Sequence, residues 1–293
     1  MKVSKAVILC GGLATRFLPI SKSIPKEMLP LLDKPVLQII VEDLVKAGIK
    51  DIFILLGRGK ECIPNHFDRN IELEQRLIET NKTEMLKVLE HSNNLANIVY
   101  RRQDEPRGTG YGVELARSFV GDDPFVFMFG DEVMFCDGQN IVEQLLETFE
   151  KENKNVIAVK EVPMSEVYRY GIIEKGKQIE KGYDVKQIVE KPRVDEAPSN
   201  ISYIGPAVLM NNVFNALDEM PLIKGKEKVL TDAFDILAKE GKLCARLVEG
   251  ERHDIGNKFG FVKANIYACL RDEEYKKDIQ ELILKLADEI KGK

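Results

Sequence analysis

At 293 residues, with 44% hydrophobic, 31% charged and 7% aromatic residues, the chain has the composition of a folded globular protein and not of a disordered one. A net charge of -5 spread over that length gives no support for a nucleic-acid surface, which needs a concentrated positive field, so any anion must be met by local groups. The five cysteines are scattered without CxxC spacing, which points to reduced thiols rather than disulfides or a metal site.

No apolar run approaches the roughly 18 residues of a membrane span, and "AVILC" is too short for a signal-peptide core. A cytoplasmic protein with no membrane partner is expected. The length fits two domains or one large α/β domain with an insert.

The first apolar run, residues 6–10, reads as a buried strand. It opens into "CGGLATRFLPISKSIPKEMLPLLDKP", far longer than an ordinary turn. Helical spacing follows at 36–47, a strand at 51–56, helical spacing again at 71–89, and a strand at 98–101. A helix over 112–119, a strand over 125–129, a helix over 141–152 and a strand over 156–160 complete the first part. Near-continuous apolar strands alternating with amphipathic helices imply a Rossmann-like, doubly wound α/β fold with a mostly parallel, mixed sheet flanked by helices.

From 161 to about 210 the pattern changes to short extended pieces, "YGIIE", "KQIVEKP" and "SYIGPAVLM", and a small β-rich lobe is expected there. Helices are predicted at 211–217, 229–240, 256–270 and 272–290, with a strand near 243–248. The expected organisation is a core over 1–160, a β-rich lobe over 161–210, and the remainder of the core with C-terminal helices over 211–293. The last helix carries Ile279, Leu282, Ile283 and Leu286 on one face, which suits packing on its own domain or a contact with a second copy.

In a parallel α/β sheet, ligands bind where loops leave the carboxyl ends of the strands. Gly11 and Gly12 can bring backbone N–H groups close to a phosphate, Arg16 adds a planar fork of donors, and Lys22 and Lys26 add point charges. A bare "GG" is more often an ordinary turn with solvated cations. The Walker pattern and GxGxxG are both absent. The order "GGLATR" then "PKEMLPLLDKP" resembles the signature of sugar nucleotidyltransferases, in particular the bacterial UTP:glucose-1-phosphate uridylyltransferases, also called UDP-glucose pyrophosphorylases. Further blocks match in order over nearly the whole chain: "RQDEPRGTGYG", "GDEV", "YGIIE", "IVEKP", "LTDAFDIL" and "HDIGNKFG".

The resemblance implies transfer of a uridylyl group from UTP to glucose 1-phosphate. A sugar phosphate is already largely dianionic near neutral pH, so the reaction needs no side-chain nucleophile or base. It needs positioning and charge neutralisation, supplied by Arg, Lys and Mg²⁺. By resemblance, Arg16 and Lys26 hold the triphosphate. Gly11, Gly12, Glu27, Gln103 and Gly108 belong to the nucleotide side, with the Gln103 amide suited to base recognition.

Gly171, Glu190 and Lys191 belong to the sugar side, Lys191 taking the sugar phosphate. Asp131 and Asp254 are the implied Mg²⁺ ligands, hard oxygens of the kind that ion prefers. On residues alone, Asp131 could cap a turn and Asp254 a helix. The implied partners are UTP and glucose 1-phosphate, with a homo-oligomer, dimer or tetramer, as the expected assembly.

Two positions depart from the family pattern. Ala14 stands where Gly is common, and a positive φ there would strain it by about 1 kcal/mol or more. Tyr111 replaces a usual His, which leaves base and sugar preference open, dTTP included. A sensor that binds nucleotide-sugar without turnover is the alternative of a different class. A glycosyltransferase would more typically carry a DxD motif than "GDEV".

Overall fold

The computed structural model describes residues 2–223 and 225–292. β1 (Lys5–Cys10) is followed by three short 3-10 turns (Thr15–Phe17, Ile20–Lys22 and Lys26–Met28), then β2 (Pro30–Leu31), β3 (Lys34–Pro35) and α1 (Val36–Lys46). Next come β4 (Asp51–Leu56), α2 (Cys62–Phe67), α3 (Ile71–Glu79), α4 (Thr83–Asn93) and β5 (Asn97–Arg102). α5 (Thr109–Glu114), α6 (Arg117–Val120), β6 (Phe125–Phe129), β7 (Glu132–Phe135), α7 (Ile141–Glu152) and β8 (Asn155–Glu161) close the first part.

Beyond it lie β9 (Gly171–Ile179), β10 (Gly182–Glu190), β11 (Ile201–Leu209), α8 (Val213–Asp218) and α9 (Leu230–Lys239). The chain ends with β12 (Leu243–Leu247), β13 (Glu251–Asp254), α10 (Lys258–Arg271) and α11 (Lys276–Lys291).

Nine strands form one sheet in the order β5-β4-β1-β6-β11-β8-β12-β10-β9. The apolar runs explain why it is covered on both faces. Along β1, Ala6, Ile8 and Cys10 join one buried cluster and Val7 the other. In β6, Val126 and Met128 divide from Phe125 and Phe127 in the same way. Strand side chains alternate between faces, so a continuous apolar strand feeds both layers. α1 and α7 supply the first layer, with Leu37, Ile40 and Leu44 facing Leu145 and Phe149 in one cluster. α7 starts on a capping box between Asn140 and Glu143.

The mixed sheet has a physical origin in β11. β5, β4, β1 and β6 run parallel, as does β12 to β8, but β11 enters antiparallel between β6 and β8. Residues 161–210 therefore contribute to the main sheet, β9 and β10 forming its far edge. The helix expected over 71–89 is two helices, broken near Asn81, whose φ of 53° ends the first. α11 rests beyond α10 with no buried residue, and leaves Leu284 and Ile290 exposed. None of the described helices is long and apolar enough to cross a membrane.

Candidate active site

β1, β4 and β6 are parallel neighbours, so the loops leaving their carboxyl ends converge on one edge of the sheet. After β1 the chain turns at Gly11, whose carbonyl accepts a hydrogen bond from Gln103 Nε2 at 3.1 Å. A methyl group at Gly11 would lie 2.5 Å from that nitrogen and would push the Gln103 amide from its place. Ala14 takes φ 51°, the left-handed conformation that strains an L-residue by about 1 kcal/mol. The condition set by the sequence is met.

The opposite wall is held by a contact distant in sequence. Gly108 has φ 101°, and a methyl there would sit 2.5 Å from the Lys228 carbonyl oxygen. The Gly110 N–H donates to that oxygen at 2.8 Å, and the Lys228 N–H donates to the Arg107 carbonyl at 2.8 Å. The Lys228 ammonium itself is buried against Glu114.

Between these walls stand paired charges. Lys26 Nζ meets Asp131 Oδ2. Burial alone would lower Lys26, but the facing Asp131 carboxylate outweighs it and holds the ammonium above its usual range. Glu27 is 1% exposed, and both its oxygens accept from Lys60 Nζ, at 2.7 and 2.9 Å. Gly11, Gly12, Lys26, Glu27, Gln103, Gly108 and Asp131 all line one cavity of about 260 Å³.

Asp254 approaches Asp131 from β13, which pairs antiparallel with β7. A methyl at Gly256 would lie 2.8 Å from Asp254 Oδ1 and 3.2 Å from Asp131 Oδ2, so the two carboxylates converge across this glycine. Asp254 accepts from the Gly256 N–H at 2.8 Å, while Asn257 caps α10 by accepting from Gly260. No cluster of three His, Cys, Asp or Glu side chains is found among the described residues. Two oxygen-bearing side chains that leave most coordination positions to water and phosphate match the donor set Mg²⁺ takes. Burial pushes the Glu132 carboxyl up to about 7 against the pull of Arg252, and Asp131 and Asp254 add to the rise.

The second group of motif residues lies on β9 and β10, where Glu190 pairs with Gly171 across the strands. Glu190 Oε2 accepts from Thr231 Oγ1 at 2.9 Å. Lys191 has φ 48°, its N–H donates to the Tyr170 carbonyl at 2.9 Å, and its side chain is 63% exposed.

Residues 5–269 match the model of the nucleotidyl transferase family. The chain belongs to that family. A UTP–glucose-1-phosphate uridylyltransferase of Staphylococcus saprophyticus is 43% identical over 97% of this chain and 98% of its own. One from Staphylococcus epidermidis is 42% identical over 97% and 99%. The UDP-glucose pyrophosphorylase of Acinetobacter baumannii superposes with a TM-score of 0.89 at 34% identity, over 97% of this chain and 100% of that one. A UDP-glucose pyrophosphorylase complexed with UDP-glucose superposes at 0.81 and 32% identity, over 90% and 97%.

The protein is thus a nucleotidyltransferase enzyme, and the departures from the family motif can be placed. Tyr111 is outside the cavity wall: its hydroxyl donates to Asp104 Oδ1 at 3.0 Å, and the Arg107 guanidinium lies 5.2 Å from its ring centroid. Arg16 is exposed on the turn after Ala14 and does not line the cavity. Gly171, Glu190, Lys191 and Asp254 also lie outside the cavity wall. His253 is buried between Phe135 and Tyr267, its ring nitrogens without hydrogen bonds, which fits packing.

Sequence reasoning missed Lys60, Lys228 and the Glu132–Arg252 pair. Only "GRGK" after β4, a second glycine-rich basic loop on the same edge, carried a signal for Lys60.

Proposed function

We propose that this nucleotidyltransferase transfers the uridylyl group of UTP to glucose 1-phosphate, giving UDP-glucose and pyrophosphate. An oxygen of the sugar phosphate attacks the α-phosphorus in line, forming the new P–O bond as the bond to the bridging oxygen of the β-phosphate breaks. Both substrates are anions, so the chain's contribution is to align them and neutralise charge. Gln103 is fixed by Gly11 to meet the base edge, and Glu27, oriented by Lys60, faces the nucleoside. Lys26 and Arg16 take the triphosphate, Lys191 the sugar phosphate, and Glu190 the sugar hydroxyls.

Asp131 and Asp254 would hold Mg²⁺, which neutralises phosphate oxygens when bound. The observation that carries this reading is the single cavity that gathers Gly11, Gln103, Gly108, Lys26 and Asp131. The relatives' names, and the solved UTP-bound enzyme of Acinetobacter baumannii, support it. Soluble cytoplasmic operation and self-association as a dimer or tetramer belong to the same reading, the exposed face of α11 supporting the latter. Light scattering on the purified protein measures the assembly.

The test is pyrophosphate release with Mg²⁺ over a grid of UTP, dTTP, CTP, ATP and GTP against glucose, galactose, mannose and N-acetylglucosamine 1-phosphates. Turnover concentrated at UTP and glucose 1-phosphate, abolished by EDTA, is expected. Turnover at another square changes the substrates. A blank grid with retained nucleotide-sugar binding would favour a sensor.

A further inference from the structure

Three side chains without an assigned role bridge the converging carboxylates and Lys191. β7 and β13 pair with Glu132 opposite Asp254 and Arg252 opposite Met134. Arg252 Nη2 donates to Glu132 Oε1 at 2.6 Å while Nε faces Oε2 at 3.4 Å, a two-point fork largely withdrawn from water. The third nitrogen of the guanidinium, Nη1, reaches the Tyr170 hydroxyl at 3.5 Å, and the group lies 5.3 Å from that ring's centroid. Tyr170 then accepts the Lys191 N–H through its own carbonyl.

β11 is shaped around the same pair. Gly205 has φ 116°, and a methyl there would lie 2.6 Å from Glu132 Oε2. Neither Glu132 nor Arg252 lines the nucleotide cavity. Glu132 nevertheless adjoins Asp131 in the chain, and Arg252 stands two residues before Asp254.

We propose that Glu132 and Arg252 are positioning residues that fix Asp131 and Asp254 relative to Lys191, with Tyr170 as the link. The proposal rests on the uridylyl-transfer reading and adds how its two halves are held in register. Lys191 is exposed and in a left-handed conformation, so its place depends on the backbone that Tyr170 anchors. An arginine fork that also packs on a ring leaves little angular freedom, which a lysine could not reproduce. An ion pair withdrawn from water adds little net stability over apolar packing, so its consequence is geometric. For two anions meeting in line, misplacement by about 1 Å can cost about 100-fold in rate.

The experiment measures kcat and KM for each substrate by pyrophosphate release, UTP affinity by calorimetry, and the unfolding temperature. Wild type is compared with Arg252→Met, Arg252→Lys and Tyr170→Phe. Arg252→Met is expected to raise KM for glucose 1-phosphate about tenfold and lower kcat about tenfold, with UTP affinity within about twofold. Arg252→Lys should recover part of both. Tyr170→Phe keeps the ring and loses one hydroxyl, and should raise the glucose 1-phosphate KM about threefold without changing the unfolding temperature. It keeps the proposal testable if Arg252→Met does not fold.

Equal losses towards UTP and glucose 1-phosphate, or losses that only follow the unfolding temperature, would overturn the proposal. So would wild-type kinetics in folded Arg252→Lys and Tyr170→Phe. No turnover by wild type with these two substrates would remove the uridylyl-transfer reading itself, and the proposal with it.

Discussion

The two sides of the site are built to different standards of rigidity. On the proposed nucleotide side, Lys60 grips buried Glu27, Gln103 is tied to Gly11, and Lys228 staples the Gly108 loop. On the proposed sugar side, the Lys191 side chain is 63% exposed and meets Glu190 at 3.3 Å. On that assignment, one side is organised before ligand arrives and the other is ordered by it. Groups already desolvated and paired lose little freedom on binding, whereas an exposed lysine must be ordered at that moment.

Substitutions separate the halves. The largest effect is expected for Asp131→Asn, which touches the junction: turnover should fall about 100-fold or more through lost metal positioning, read by pyrophosphate release at saturating Mg²⁺. Near-normal activity would take Asp131 out of the metal site. Lys191→Ala should raise KM for glucose 1-phosphate by about 10- to 100-fold, the worth of a charge-assisted contact, with UTP binding and unfolding unchanged. A calorimetric titration in which UTP binding suffers more would invert the assignment of the halves.

Gly11→Ala acts on the rigid side alone. Its methyl would displace the Gln103 amide, and UTP affinity should drop about tenfold while the glucose 1-phosphate KM holds.

Two smaller effects serve as controls on stability. Asp43, on α1 beside Asn140 and outside the cavity wall, is pushed up to about 6 by burial. The folded chain therefore binds this proton more tightly than the unfolded chain, and stability is lost as pH rises from about 4 through about 6. Asp43→Asn should gain about 1 kcal/mol at pH 8 and nothing at pH 4, measured by urea unfolding at both. Ala14→Gly should gain about 0.5 kcal/mol, relief of left-handed strain less the added chain entropy of glycine. A loss there would mean that the first loop relaxes when unliganded.

Sequence alone determined the layers and the kind of chemistry. Apolar continuity in residues 6–10 and 125–129 placed two central strands, because a strand buried on both faces has no polar side to show. "GGLATR" and "PKEMLP" named the glycines and cations of the loop, and their spacing carried the family. These are local signals, legible within a few residues. What the tertiary structure decided was which charges meet. Lys60 pairs with Glu27 across 33 residues, Lys228 with Glu114 across 114 and Arg252 with Glu132 across 120. Periodicity cannot report such pairs, since a lysine on a loop looks solvated until a distant strand brings its carboxylate.

The entry of β11 between β6 and β8 was likewise invisible, because an apolar run states that a strand is buried and not which neighbours bury it.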